Sequence, residues 1–208
     1  MPDFRALAKR LLPKSVRRLL LLHVFHVNRR YARLLEAESR LCLQDEILPW
    51  MSERFRSILF VGTASYTCHY EKLFRRGQYT TMDIEPGGIV WGAADHIVAG
   101  VQDINLHRPK GSFDCIVLNG VFGFGVDQIE DMRAVVRELY LALRPGGFLL
   151  VGWNTNLHAD PEAAGLYDGL FVRSTKRPWA ARRHFPPETH VYDFYVRCGD
   201  PGPGSPRL

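Results

Sequence analysis

Short apolar runs that end in glycine, asparagine or an acid, separated by stretches of helical spacing, restrict this chain to an α/β architecture. In Ser57-Ile-Leu-Phe-Val-Gly62 every residue between the ends is apolar, with no polar alternation. A strand reads this way when both of its faces are covered, as in a parallel sheet between helical layers. Gln78-Tyr-Thr-Thr-Met-Asp83 is β-branched and aromatic and ends on an acid, and the residues from His96 to Val101 supply a third strand. Phe113-Asp-Cys-Ile-Val-Leu118 runs into Asn119-Gly120, and a fifth strand covers Phe148 to Val151. Helical spacing lies between these runs at Tyr70, Leu73 and Phe74. It returns from Asp127 to Leu143, where Ile129, Met132, Val136, Leu139, Tyr140 and Leu143 share one face. Arg144-Pro-Gly-Gly147 stops that helix. Thr189 to Cys198 has strand character. Strands alternating with helices predict βαβ units and a doubly wound, mostly parallel sheet.

The 208 residues are enough for one domain with one substantial core. Upstream of the first strand, Pro13 and Ser15 mark a helix entry, and Leu20, Val24, Val27, Tyr31 and Leu35 form one apolar stripe. A second helix is predicted from Leu41 to Arg54, bending at Pro49. Residues 1–40 hold ten basic side chains against three acids, a surplus of seven, whereas the whole chain carries +5. The basic character therefore belongs to the arm. The expected organisation is a basic helical arm or cap over 1–54, an α/β domain over 55–198 and a disordered Pro/Gly-rich tail over 199–208.

Several function classes are not indicated. Cys42, Cys68, Cys115 and Cys198 lie far apart, without zinc-ligand or redox spacing, so no metal site is expected and a reduced, cytoplasmic setting is the simpler reading. The longest apolar runs fall well short of the roughly 20 residues of a membrane span, and no cleavage site follows the first of them.

Chemistry concentrates where the first two strands end. Gly62, followed by the small residues Thr63, Ala64 and Ser65, makes a tight turn beyond a buried strand, the place where open α/β sheets bind ligands. Asp83 ends the second strand about 20 residues later, where an acid accepts hydrogen bonds from ribose hydroxyls in nucleotide-binding folds. Glu85 competes for that role.

The order of these signals resembles that of the class I S-adenosylmethionine-dependent methyltransferases, over about residues 55–153. Leu59-Phe-Val-Gly-Thr-Ala-Ser-Tyr66 resembles their first motif and Met82-Asp-Ile-Glu-Pro86 the acidic end of strand 2. Val101-Gln-Asp103-Ile104 resembles the acidic loop beside the adenine. Ser112 to Leu118 resembles the strand-4 motif, and Leu143-Arg-Pro-Gly-Gly-Phe-Leu-Leu150 the turn into strand 5. The resemblance implies a Rossmann-like fold with S-adenosyl-L-methionine as cofactor. Gly62, Thr63, Ala64 and Ser65 would line its methionine and ribose portion, with Tyr66 crowding that pocket or forming a lid. Asp83 would hold the ribose, with Ile84 beside the adenine. Asp103 would meet the adenine amino group, and Ile104 would pack on the ring. Asn119 and Gly120 would face the methyl group. The first motif departs from the family: Phe60 stands where an acid is frequent, and Ala64 and Tyr66 replace further glycines. The glycine-rich link between strands 2 and 3 is also too short for the usual helix.

The implied activity is methyl transfer to oxygen or nitrogen of a small molecule, since the strand-4 end, Asn119-Gly-Val-Phe122, lacks the proline-aromatic signature of many enzymes that methylate nucleic-acid or protein amines. Asp127, Trp153, Asn154 and His158 are the acceptor-side candidates. Trp153 would line an apolar pocket, and His158 or Asp127 would act as base. His184 and His190 are weaker candidates. Gly120-Val-Phe-Gly-Phe-Gly125 is either a loop that closes on a ligand or a packed turn. The basic arm would cap the substrate site or touch an anionic membrane surface or a partner protein, and nucleic acid is not expected. Two alternatives stay open in the sequence: a non-catalytic scaffold or partner subunit, and a membrane-associated enzyme with a lipid-linked acceptor.

Overall fold

The structure is a computed structural model that describes residues 37–175 and 178–199. The stripe expected over 20–35, most of the basic arm and the tail from residue 200 lie outside the described residues.

The first described element is a long helical stretch in three parts. Helix α1 (Glu38–Cys42) passes through a π-helical turn (Leu43–Ile47) into α2 (Leu48–Arg54). Pro49 has no N–H to donate, and the irregularity falls just before it rather than as a bend at the proline. Strands β1 (Ile58–Val61), β2 (Tyr79–Asp83), β3 (Asp95–Val98), β4 (Phe113–Asn119) and β5 (Leu143–Asn154) follow. Between them lie the short helix α3 (Ile104–His107) and the longer α4 (Ile129–Ala142). The chain closes with β6 (Phe171–Arg173), β7 (Arg182–His184) and β8 (His190–Arg197).

The sheet order is β3-β2-β1-β4-β5-β8-β6, with β7 also paired to β8. The first five strands are parallel, and β8 lies antiparallel to β5, β6 and β7. Alternation along each strand sends side chains to two separate cores. Leu59, Val61, Ile116, Leu118, Leu149 and Val151 meet Met132, Val136 and Leu139 of α4 on one face. Ile58, Phe60, Cys115, Val117, Phe148 and Leu150 meet Leu43, Ile47, Leu48 and Met51 of the helical stretch on the other. Phe60, at the position where the family is frequently acidic, is fully buried against Tyr70 and Tyr79 in this second core.

Two local expectations change, and the short link between β2 and β3 lacks the usual helix as expected. The helix expected around Tyr70 is a single 3-10 turn (Tyr70–Leu73). Thr67 accounts for part of this: its hydroxyl bonds both the N–H and the carbonyl of Ala64 (3.0 and 2.9 Å), giving that backbone an alternative to a helical ladder. Pro86–Val90 likewise supplies only a 3-10 turn between β2 and β3. The Arg144–Gly147 stretch does not form a loop before the fifth strand. β5 begins at Leu143 opposite Phe113 and resumes at Phe148 opposite Cys115, a bulge tied down by the Arg144–Asp114 ion pair at 3.0 Å.

Candidate active site

The ends of β1, β2 and β4 converge on one point. Gly62 has φ +90°, and a Cβ at this position would lie 2.4 Å from the carbonyl oxygen of Asn119. Glycine is thus required by the approach of β4 itself. Just beyond, the Thr63 N–H and hydroxyl donate to Asp83 Oδ2 at 2.6 and 3.1 Å, and the Glu85 N–H donates to Oδ1 at 2.9 Å. A carboxylate offers about four lone-pair positions, so Asp83 retains capacity for a ligand hydroxyl.

Two cavities open on either side of this point and share Gly62, Asp83, Gly120 and Phe124. The one towards β3, about 160 Å³, is largely apolar and lined by Val61, Ile84, Ala99, Val101, Gln102, Val121 and Val126. The one towards β8, about 200 Å³, is lined by Arg40, Thr63, Ala64, Tyr66, Thr67, Asn119, Asn154 and His190. Phe124 is 61% exposed and stands over both. Its loop is a packed turn: Phe122 is buried in the core, and the Phe124 N–H donates to the Val121 carbonyl at 3.0 Å.

Arg40 of α1 forms one wall. Its guanidinium lies 3.7 Å from the centre of the Tyr66 ring, and Nη1 donates to the Tyr70 hydroxyl at 3.4 Å. Among the described residues Arg40 forms no ion pair. Tyr66 is held under Arg40 at the cavity edge. Next to Arg40, the Ser39 hydroxyl and backbone N–H both donate to the Glu188 carboxylate, which latches α1 to the segment entering β8.

His190 forms the opposite wall. Its Nδ1 lies 3.1 Å from Asn154 Oδ1, an oxygen that only accepts, so Nδ1 carries the hydrogen and Nε2 the lone pair. Nε2 is buried and has no hydrogen-bond partner among the described residues. Burial, helped by the nearby Arg40 charge, pushes the imidazole pKa down to about 4, so the ring is neutral at neutral pH. Asn119 Oδ1 is a second buried acceptor without a partner. Its side chain lies across Gly152, whose absent Cβ would fall 2.1 Å from that oxygen.

The other expected residues are distributed as follows. Gly62, Thr63, Ala64, Tyr66, Asp83, Ile84, Asn119 and Gly120 line one or both cavities, whereas Ser65 lines neither. Asp103 and Ile104 line neither cavity. Ile104 is fully buried in the core, and Val101 and Gln102 stand at the apolar cavity instead. Asp127 and His158 do meet, at 3.9 Å, beside Gly123, but they too lie outside both cavities. Trp153 faces away from the site: it is buried, and its Nε1–H donates to Asp193 at 2.8 Å. No group of three or more potential metal ligands occurs among the described residues. No helix there is long and apolar enough to cross a membrane.

A family model described as a methyltransferase domain matches residues 60–151. Over these residues the chain is similar to methyltransferase domains, and its sheet order and flanking layers have the fold of the class I S-adenosylmethionine-dependent methyltransferase superfamily. Among solved structures it is similar to the N-methyltransferase NodS from Bradyrhizobium japonicum WM9 in complex with S-adenosyl-L-homocysteine. That match has TM-score 0.63 and 15% identity, and covers 83% of this chain and 94% of that one. The 1,6-didemethyltoxoflavin-N1-methyltransferase of Burkholderia thailandensis matches with TM-score 0.55 and 14% identity over 90% and 91% of the two chains. The PH0226 protein of Pyrococcus horikoshii OT3 matches with TM-score 0.58 and 14% identity over 83% and 93%. At these identities the likeness is one of fold. No curated protein sequence matches significantly.

The residues present fit the superfamily's cofactor, S-adenosylmethionine. An apolar cavity beside the exposed Ile84, an acid at the junction and a polar cavity beyond it follow the order of a flat base, a ribose and a polar tail.

Proposed function

We propose that this chain transfers a methyl group from S-adenosylmethionine to oxygen or nitrogen of a small acceptor held in the β8-side cavity. The observation that carries the reading is the junction itself. Two modest cavities share Gly62, Asp83 and Gly120, one apolar and one lined by buried polar atoms without partners. The cofactor supplies a methyl group already activated on a positively charged sulfur. The chain's own task is alignment and exclusion of water. Asp83 accepts from the ribose hydroxyls, with its carboxylate held in place by Thr63 and Glu85. Ile84, Val101 and Phe124 enclose the adenine. Thr63 and Ala64 run beside the methionine portion, and Arg40 over Tyr66 closes the polar cavity from the α1 side. Asn119, the last residue of β4, and Gly120 just beyond it face the transferred group.

Isothermal calorimetry with S-adenosylhomocysteine tests this. The folded protein is expected to bind, and Asp83→Ala to weaken binding about 10- to 100-fold, the range for losing hydrogen bonds to a charged group. A folded sample that shows no binding sinks the proposal. Unchanged affinity in the variant removes Asp83 from the ribose role.

A further inference from the structure

We infer that the acceptor of this site is a neutral amine nitrogen bearing two hydrogens, and that His190, oriented by Asn154, accepts one of them while Asn119 accepts the other. The inference rests on the methyltransferase reading and goes beyond it by specifying the substrate class and the residues that select it.

The two residues reach the cavity from β4 and β8, the strands on either side of β5. In register, Asn119 of β4 lies opposite Gly152 of β5, and Asn154, two residues further along β5, lies opposite His190 of β8. Side chains two apart on a strand share a face, and Asn119 crosses the space left open at Gly152. Asn119, Asn154 and His190 therefore occupy one face of the sheet, and all three line the same cavity. His190 Nε2 and Asn119 Oδ1 are buried acceptors without a partner among the described residues. Buried polar groups are nearly always paired, so the missing partner is a ligand with polar hydrogens to give. A hydroxyl has one and satisfies only one of the two atoms. A primary amine has two, and giving both leaves its lone pair free to point elsewhere in the cavity, towards the junction at Gly62 and Gly120.

The step balances. The nitrogen lone pair forms the new bond to the methyl carbon, the carbon–sulfur bond breaks, and its electrons remain on sulfur as a neutral thioether. The nitrogen becomes a positively charged methylammonium whose hydrogens stay hydrogen-bonded to His190 Nε2 and Asn119 Oδ1, and it gives up a proton to solvent on release. A ring that is neutral at neutral pH serves this order of events, since its Nε2 lone pair stays available to accept a hydrogen bond before and after transfer. The charged groups around the ring are Arg40 from α1 and Glu188 from the segment entering β8, and Tyr192 packs against it from its own strand.

The test uses the full chain with methyl-labelled S-adenosylmethionine and two matched probe sets: ethylamine, benzylamine and aniline, against ethanol, benzyl alcohol and phenol. Label is expected on the amines alone. His190→Phe should lower kcat about 100-fold, the range for misplacing a reactant, with calorimetric binding of S-adenosylhomocysteine unchanged. Asn154→Leu should impair kcat similarly. Asn154→Asp should restore it and move the acid limb of the pH profile upward, because a carboxylate at Nδ1 favours the protonated ring. Nitrogen-15 NMR of the resting protein should show His190 as the neutral tautomer protonated at Nδ1. Transfer to the alcohols overturns the amine assignment, as does transfer to neither set by a sample that binds S-adenosylhomocysteine. An unaltered kcat in His190→Phe, or a hydrogen on Nε2, removes His190. If the wild type ignores S-adenosylhomocysteine, the methyltransferase reading fails and this inference fails with it, whereas the tautomer result then speaks only to the histidine.

Discussion

Changing Asp193 to asparagine should destabilise the protein far more than an isosteric substitution usually does. Asp193 is fully buried on β8 and holds three partners. Oδ1 accepts from Arg182 Nε at 2.6 Å and Arg173 Nη1 at 3.3 Å, and Oδ2 accepts from Arg182 Nη2 and Trp153 Nε1, each at 2.8 Å. Both arginines are themselves anchored to acids of the β5–β6 connection, Arg182 to Asp160 and Arg173 to Glu162. In asparagine one oxygen becomes an amide nitrogen. Placed at Oδ1, it faces two guanidinium donors; placed at Oδ2, it faces one guanidinium and the indole. Either way two hydrogen bonds become donor-to-donor contacts, and at least one was made to a cation. A lost neutral bond costs about 1 kcal/mol and one to a charged group about 1.5–3, so the expected loss is about 3 kcal/mol. For a chain of this size that corresponds to a fall in Tm of about 6–12 °C. Urea unfolding followed by tryptophan fluorescence measures it directly, with an unchanged m-value marking the same unfolded state. A loss below about 1 kcal/mol would show that Asp160 and Glu162 neutralise both arginines unaided, and that Asp193 is not the keystone of the β5–β8 connection.

Other expectations follow from single positions. Gly62→Ala forces a side chain into a left-handed conformation, costing about 1–2 kcal/mol before the collision with the Asn119 carbonyl is counted; a wild-type urea midpoint would contradict this. His190 adds a pH signature of stability. Its pKa is lowered on folding from 6.5 to about 4, so the unfolded chain binds the extra proton between those values and stability is lost as the pH falls through that window. The loss should approach about 3 kcal/mol by pH 4. It should be absent from His190→Gln, measured by urea titration at pH 7, 5.5 and 4, and an equal loss in that variant would assign the effect to other groups.

The strands were legible because burial on both faces writes itself as uninterrupted apolar runs, as in Ile58 to Val61 and Ile116 to Leu118. The junction at Gly62 and Asp83 was legible for a related reason: both residues end strands, and position in an open sheet dictates what a strand end can touch. What escaped depends on contacts distant in sequence. Trp153 looks like a pocket aromatic until the face it occupies on β5 is known, and that face is set by pairing with β8. His190 looks like a solvated histidine at a strand start until Asn154 is seen opposite it. Arg40 belongs, by local charge, to a basic arm; only the Ser39–Glu188 latch and the Tyr66 ring make it a cavity wall. Gln102 and Val101 displaced Asp103 and Ile104 from the apolar cavity because Ile104 opens α3 and turns into the core.

The place of β8 bears on how the molecule is made. This strand, the last among the described residues, inserts between β5 on one side and β6 and β7 on the other, and it brings His190 and the Glu188 latch with it. During synthesis the five parallel strands exist before it does. Until it arrives, β5 presents an open edge, and β6 and β7 have nothing to pair with. The polar cavity therefore takes shape only after the parallel strands are made. A nascent chain that has reached residue 187 holds the glycine and the acid of the junction but neither the histidine wall nor the anchor that brings Arg40 over it.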